Sequence, residues 1–312
     1  MATFQIKKNQ KFLLNSEFKN FPLTFVNGLR RILLSQIPIV VLRNVEIISN
    51  TSQMPYEMLK HRVELLPVNV SPEDTQIIKN ASIHLEKTTK DSLEITTDDF
   101  TVKDGRDHLL MKDRDLKTPL LFLRLKPNET IHLTAKLALE KGSQVCTASM
   151  SYHVDPERVK HERGLWIEKG KDPREFDNFY YQKYYSIDDI GRPNWLDLSV
   201  ESVGVLTSQE IMKLAIKEYR SMMNEWFSQS VDKISKEGEK TYNIISLGGH
   251  TQGALLQEVM YHTGIQFVSY DIPHPLRPQM VLRFVTDKDA EKFLKEIHET
   301  IEEYCQIVEK AL

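Results

Sequence analysis

Cysteine is scarce in this chain: 312 residues contain two, Cys146 and Cys305. They lie far apart and offer neither a disulfide framework nor the close spacing of a cysteine metal site. The opening stretch MATFQIKKNQKFLL lacks the apolar segment of a secretory leader, and no run approaches membrane-spanning length. An intracellular, soluble protein is predicted, so the acceptor tripeptides beginning at Asn50, Asn80 and Asn128 carry no meaning. Surplus charge is missing too. With 41 basic and 44 acidic residues the net charge is −3, which argues against direct nucleic-acid binding as the main task.

Catalytic motifs are equally scarce. No Gly-x-Ser-x-Gly elbow occurs, and Gly248-Gly249-His250-Thr251 lacks the lysine and the spacing of a phosphate-binding loop. Asp98 with Asp99, and Asp113 with Asp115, are carboxylate pairs of a kind that holds Mg²⁺, but they read as surface turns. His153, Asp155 and His161 form an irregular cluster that is weak as a metal site. No catalytic residue, metal ligand or cofactor is predicted.

The most patterned stretch runs from Phe21 to Pro67. Pro22 sits in the first turn of a predicted helix, with Asn20 as its cap. Phe25, Leu29, Ile32, Leu33 and Gln36 recur at three- and four-residue spacing and make one apolar stripe, with Arg30 and Arg31 off its centre. Pro38 ends the helix. Val40 to Ile48 then reads as a strand with Val41, Val45 and Ile47 inward, and a second short helix opening at Pro55 carries Glu57, His61 and Arg62.

After Pro67 the chain becomes strand-rich and polar as far as Asp155-Pro156. A long connection follows, with Phe179-Tyr180-Tyr181 and Tyr184-Tyr185 predicted to pack rather than stay in water. Leu196 to Leu206 alternates as a strand, and the next helix places Ile211, Ala215, Tyr219, Met222 and Trp226 on one side. The polar stretch SKEGEKT, Ser235 to Thr241, is the predicted linker. Beyond it come a strand, a helix from His250 to His262 that includes Leu255, two further strands and a final helix. That helix carries Ala290, Leu294, Ile297, Ile301, Tyr304, Val308 and Ala311 at alternating steps of four and three, a seam for packing along another helix.

Asn27, Leu29, Arg30-Arg31, Ile37-Pro38, Val45-Glu46, Asn50-Thr51, Glu57, His61-Arg62 and Leu66-Pro67 resemble, in order, the signature of the α-like subunits of cellular RNA polymerases. That family includes the bacterial α subunit, its archaeal counterpart and the third subunit of RNA polymerase II. Val200-Glu201-Ser202-Val203-Gly204 continues the match. Past the polar break, His250-Thr251, Gly253, Leu255, Phe267, Tyr270, Pro273-His274-Pro275, Leu282-Arg283 and Thr286 resemble the small, L-like partner of that subunit, which in RNA polymerase II is the eleventh subunit. Gln252 and Ala254 depart from its usual leucine and asparagine. A fused pair of this kind resembles the arrangement in large nucleocytoplasmic DNA viruses. The four-cysteine loop of several relatives is missing from Val68 to Asn80, so no zinc is expected. The three-aspartate catalytic run of multisubunit polymerases is missing as well.

The resemblance implies an α+β fold: an α-like dimerisation domain with an inserted mostly β domain, fused to a small α+β partner domain in an intramolecular pseudo-dimer. The expected boundaries are 1–48 and 195–235 for the first domain, 49–155 for the insertion, 156–194 for the connection, 236–241 for the linker and 242–312 for the partner domain. The implied function is a non-catalytic assembly platform of a DNA-dependent RNA polymerase, with Mg²⁺ belonging to the catalytic subunit. Arg30, Arg31, Asn27, Glu57, His61 and Arg62 are expected to face the second-largest subunit. Phe25, Leu29, Leu33, Ile211, Tyr219, Met222, Trp226, Leu255, Ile297, Ile301, Tyr304 and Val308 are expected at the internal pairing surface. The largest subunit and small assembly subunits are further expected partners, with DNA and RNA reached through the complex, no membrane and no homodimer. The expected location is the cytoplasm or nucleus of an infected cell, or a virion. Two other classes fit less well: an independent transcription-associated binding module, and a metal-dependent phosphotransfer enzyme built on Asp113 and Asp115.

Overall fold

The structure is a computed structural model that describes residues 2–106, 108–142 and 145–312. It opens with β1 (Thr3–Gln10), β2 (Leu13–Lys19), α1 (Leu23–Ser35), β3 (Pro38–Asn50), α2 (Tyr56–Glu64) and α3 (Thr75–Asn80). Next come β4 (Ser82–Thr88), β5 (Leu93–Thr96), β6 (Thr101–Lys103), β7 (Leu121–Leu125), β8 (Thr130–Lys141) and β9 (Cys146–Tyr152). The helices α4 (Pro156–Glu168) and α5 (Pro173–Phe179) precede β10 (Trp195–Ser202) and α6 (Ser208–Ser230). The chain ends with β11 (Ile234–Lys236), β12 (Thr241–Leu247), α7 (His250–His262), β13 (Phe267–Asp271), β14 (Gln279–Val285) and α8 (Ala290–Ala311).

Two compact units result. One comprises Met1–Leu33, Ala148–Glu201 and Ser208–Leu312, the other Leu34–Thr147 and Ser202–Thr207. The second unit begins at Leu34 rather than at 49, because β3 pairs with β8 from Pro38 onward. It ends before 155, because β9 is hydrogen-bonded into the first sheet.

The first unit holds two four-stranded sheets, ordered β1-β2-β10-β9 and β11-β12-β14-β13. Alternation sets the inward face of the first: Leu14, Ser16 and Phe18 on β2 and Leu196, Leu198 and Val200 on β10 are buried, with Ser16 opposite Leu198. The helices α6 and α8 cross these sheets and run antiparallel. Arg220 on α6 bonds Glu302 at 2.9 Å and Glu309 at 2.8 Å, Asn224 meets His298 at 2.6 Å, and Gln209 reaches the Leu312 carbonyl. The predicted linker is no free tether. Ser235 and Lys236 belong to β11 and pair with Asn243 and Tyr242 of β12, so the SKEGEKT stretch folds as a hairpin.

The connection over 156–194 also carries more structure than a loop. Asp155 and Asp172 cap α4 and α5 by accepting backbone N–H bonds, each followed by a proline suited to a helix start. Trp166 meets Phe176 edge-on and tilts against Tyr180, and Tyr184 stacks on the buried Phe176 ring, whereas Phe179 and Tyr181 stay exposed.

In the second unit the sheet runs β3-β8-β4-β6 with a separate β5-β7 ribbon. Ile83, Leu85, Phe122, Leu125, Ile131 and Leu133 fill its core, and α2 contributes Leu59 and Val63. The inward set on β3 differs from simple alternation. Ile39, Val40, Val41 and Leu42 are all buried, while Val45 and Ile47 are half-buried. The pairing register breaks between Arg43 and Glu46, where Asn44 takes a left-handed φ of 52°. A bulge of this kind shifts the phase of the strand, and asparagine tolerates the conformation it needs.

Candidate functional site

The most heavily buried surface shared by the N-terminal and C-terminal parts of the first unit lies around α1, α6, α7 and α8. On α1 the stripe of Phe25, Leu29, Ile32 and Leu33 is buried, and on α6 Ile211, Ala215, Tyr219 and Trp226 are buried. Leu255 on α7 and Ile297, Ile301 and Val308 on α8 complete the apolar set. Aromatic rings line this surface: Phe25 stacks on Tyr219 at 5.1 Å, and Tyr304 of α8 lies 5.6 Å from Phe25 and 5.3 Å from Phe21. Trp226 Nε1 donates to Ser246 Oγ at 2.9 Å, fixing α6 on β12. Burying such side chains stabilises by roughly 1.5–3 kcal/mol each, so this surface dominates the local energetics.

Two positions in the seam differ from the helical-spacing prediction by one residue. Met223, not Met222, is buried, and Cys305 sits at the seam's centre while Tyr304 is half-buried at its edge. Successive helical residues lie about 100° apart, so the packing partner decides which of two neighbours is buried, and Trp226 and Val308 further along are buried as expected. Burial pushes the Cys305 thiol up to about 12 and the Cys146 thiol up to about 11, which keeps both protonated and unreactive at neutral pH.

Three features of the seam had no local signal. A side-chain carbon at Gly28 would overlap the Tyr219 hydroxyl, so α1 and α6 approach as closely as a missing side chain allows. That hydroxyl is buried without a hydrogen-bond partner among the described residues, and burial raises its pKa far above the usual tyrosine value. The third is Glu258 on α7. Its carboxylate accepts the N–H of Leu23 at 3.2 Å, the N–H of Thr24 at 2.8 Å and the Thr24 hydroxyl at 2.5 Å. Asn20, three residues before α1, takes a left-handed φ of 59° and donates its N–H to the Asn194 carbonyl. Contacts between residues so far apart in the chain leave no mark in a sequence window.

The polar candidates fall into two groups, one in each unit. On α1, Arg30 Nε and Nη2 both donate to Asn27 Oδ1 at 3.1 Å, and Arg31 is exposed. On α2, Glu57 and His61 are exposed. Arg62 is committed to its own unit: its Nε donates to the Phe122 carbonyl at 2.9 Å and its guanidinium lies over the Phe122 ring. It lines a groove of about 490 Å³ together with Met54, Pro55, Met58 and Leu121.

The carboxylate pairs form turns and ion pairs. Asp113 accepts the N–H groups of Leu116 and Asp115, which hold its carboxyl below the usual range, and Asp115 pairs with Arg114. Asp98 pairs with Lys112, and Asp99 caps a short turn at Thr96. Asp155 is the α4 cap and His161 is exposed, so the cluster with His153 does not converge. His153 turns instead to Asp197 at 2.9 Å, with Glu17 close enough that three ligand atoms lie within 4.8 Å of one another. Lys7 at 3.2 Å and Trp195 Nε1 at 3.2 Å already meet Glu17, and His153 stacks on Trp195 at 4.0 Å. This group reads as a polar network tying β1, β2 and β10 to the residue that follows β9.

Comparison with known proteins yields two sequence-family matches, each described as the RNA polymerase Rpb3/Rpb11 dimerisation domain. One spans residues 16–223 and the other residues 244–311. Among similar proteins, the DNA-directed RNA polymerase II subunit RPB3 of Schizosaccharomyces pombe is 27% identical over 231 residues, covering 62% of this chain and 75% of that subunit. The DNA-directed RNA polymerase subunit Rpo3 of Pyrobaculum aerophilum is 29% identical over 167 residues, covering 49% of this chain and 63% of that subunit. The DNA-directed RNA polymerases I and III subunit rpac1 of Dictyostelium discoideum is 24% identical over 267 residues, covering 67% of this chain and 75% of that protein.

Proposed function

Because the chain belongs to the RNA polymerase Rpb3/Rpb11 dimerisation family, as an Rpb3/Rpo3-like, non-catalytic assembly subunit of DNA-directed RNA polymerase, we propose that it pairs its two halves in cis to form the platform on which the large subunits assemble. The observation that carries this is the seam itself. Helices from the stretch matched over 16–223 bury their apolar faces against helices from the stretch matched over 244–311, within one chain. Joining the halves covalently replaces a bimolecular encounter with an intramolecular one at high effective concentration.

In this reading Asn27, Arg30 and Arg31 on α1 and Glu57, His61 and Arg62 on α2 receive the second-largest subunit, and the largest subunit follows through it. The Asn27 side chain orients the Arg30 guanidinium, and a guanidinium so held suits two-pronged recognition of a carboxylate. Small assembly subunits are further partners, nucleic acid is met through the complex, and the chain brings no cofactor or metal of its own. The fused arrangement supports a large nucleocytoplasmic DNA virus as the source, with the cytoplasm or nucleus of the infected cell, or the virion, as the location. No helix among the described residues is long and apolar enough to cross a membrane.

The double substitution Arg30→Ala with Arg31→Ala tests the docking surface. The isolated chain should melt as wild type, since neither side chain belongs to the buried stripe. Capture of the recombinant second-largest subunit should weaken by about 2–5 kcal/mol, mostly from the carboxylate left unpaired. Wild-type capture by a folded variant would place the docking surface elsewhere.

A further inference from the structure

The helices α1 and α7 hold the same place in the two halves of the first unit. Each is 13 residues long and each follows the second strand in the order of its sheet. Thr24 therefore corresponds to Thr251, Leu29 to Leu256 and Arg31 to Glu258. The two helices pass each other antiparallel: Thr24 meets Glu258, and Gly28 faces Thr251. An approximate two-fold relation thus carries Glu258, at the first turn of α1, onto Arg31. Corresponding positions hold opposite charges.

The first turn of a helix presents N–H groups without intrahelical partners at the positive end of the helix dipole, so a carboxylate is favoured there and a guanidinium is not. Glu258 uses both carboxylate oxygens on that turn, taking two backbone N–H groups and a hydroxyl of α1. We propose that Glu258 is a specificity residue of the pairing, favouring α1 against α7 of the same chain over α1 against α1 of a second copy, where Arg31 takes the position of Glu258. This rests on the reading of the chain as a self-paired platform.

The test uses the full chain and needs no partner subunit. Glu258→Gln keeps the shape and removes the charge; it should lower Tm by about 2–6 °C and speed hydrogen exchange at the Leu23 and Thr24 amides. In a Glu258→Gln background, Thr24→Val should cost little more, since the two residues act as one unit. Glu258→Arg makes the two corresponding positions alike; it should lower Tm further and populate a dimer by size-exclusion chromatography with mass detection. A Glu258→Arg chain that melts low yet stays monomeric at every concentration overturns the selectivity. If Glu258→Arg does not fold, Glu258→Gln decides: wild-type melting with unchanged amide exchange, or a lowered Tm with no dimer at any concentration, overturns the proposal, and a lowered Tm with a populated dimer supports it. These readouts come from the isolated chain, so their failure is distinct from retained partner capture in the Arg30, Arg31 variant.

Discussion

The sheets β1-β2-β10-β9 and β11-β12-β14-β13 have matching strand order but differ on their outer faces, the second adding exposed apolar side chains to a polar group of Asn243, Arg283 and Glu237. On the first, Asn15 bonds Ser199, Glu17 stands opposite Asp197 with His153 and Lys7 alongside, and Lys19 lies over the Trp195 ring. On the second, Ile245 pairs with Val281 and Val285 with Phe267, while Ile245, Leu247 and Phe267 are 48%, 60% and 50% exposed. The inner faces show no such divergence; both are apolar and both bury against α6 or α8. Shared architecture is thus kept where the halves meet, while the two sheets diverge on the faces turned away from that meeting.

The comparison breaks most readily from the inside. Ile301→Asp places a carboxylate at a fully buried position in α8 and should destabilise by several kcal/mol, enough to lose soluble protein or expose apolar surface to a hydrophobic dye. A variant that melts like wild type means that the seam is open to water. Gly28→Ala comes next. The added methyl overlaps the Tyr219 ring, at a cost of about 1–3 kcal/mol read from chemical denaturation. Adding Tyr219→Phe should recover part of that loss, and alone it should be near neutral, because the hydroxyl it removes has no hydrogen-bond partner among the described residues. The smallest effect is expected outside: Ile245→Lys should change stability by no more than about 0.5 kcal/mol, with any change appearing in self-association by light scattering. A large loss of stability there would show that the outer face is not spare.

Helical spacing made much of this legible. The apolar stripe of α1, the span His250–His262 of α7 and the buried Ile297, Ile301 and Val308 of α8 follow from three- and four-residue recurrence, since burial of one helical face is a local property of sequence. What stayed hidden was set by tertiary partners. The left-handed Asn44 shifts the phase of β3, the 236–241 stretch closes a hairpin, and Glu258 of α7 accepts the N–H groups that open α1. Arg62 illustrates the same limit at the candidate site: its place in the motif is visible, but its hydrogen bond to the Phe122 carbonyl is not.

The pairing of β2 with β10 has a consequence for the order in which the protein is made. Leu14 lies opposite Val200 and Ser16 opposite Leu198, so β2 cannot be flanked on both edges until nearly two-thirds of the chain has left the ribosome. At about 5–20 residues per second that is an interval of roughly 10–40 s. During it, Leu14 and Phe18 have β1 beside them but no second neighbour, while β3 to β8 are already available to fold. The insertion therefore has a head start over the sheet that encloses it in sequence, and α7, the source of the Glu258 clamp on α1, arrives after both.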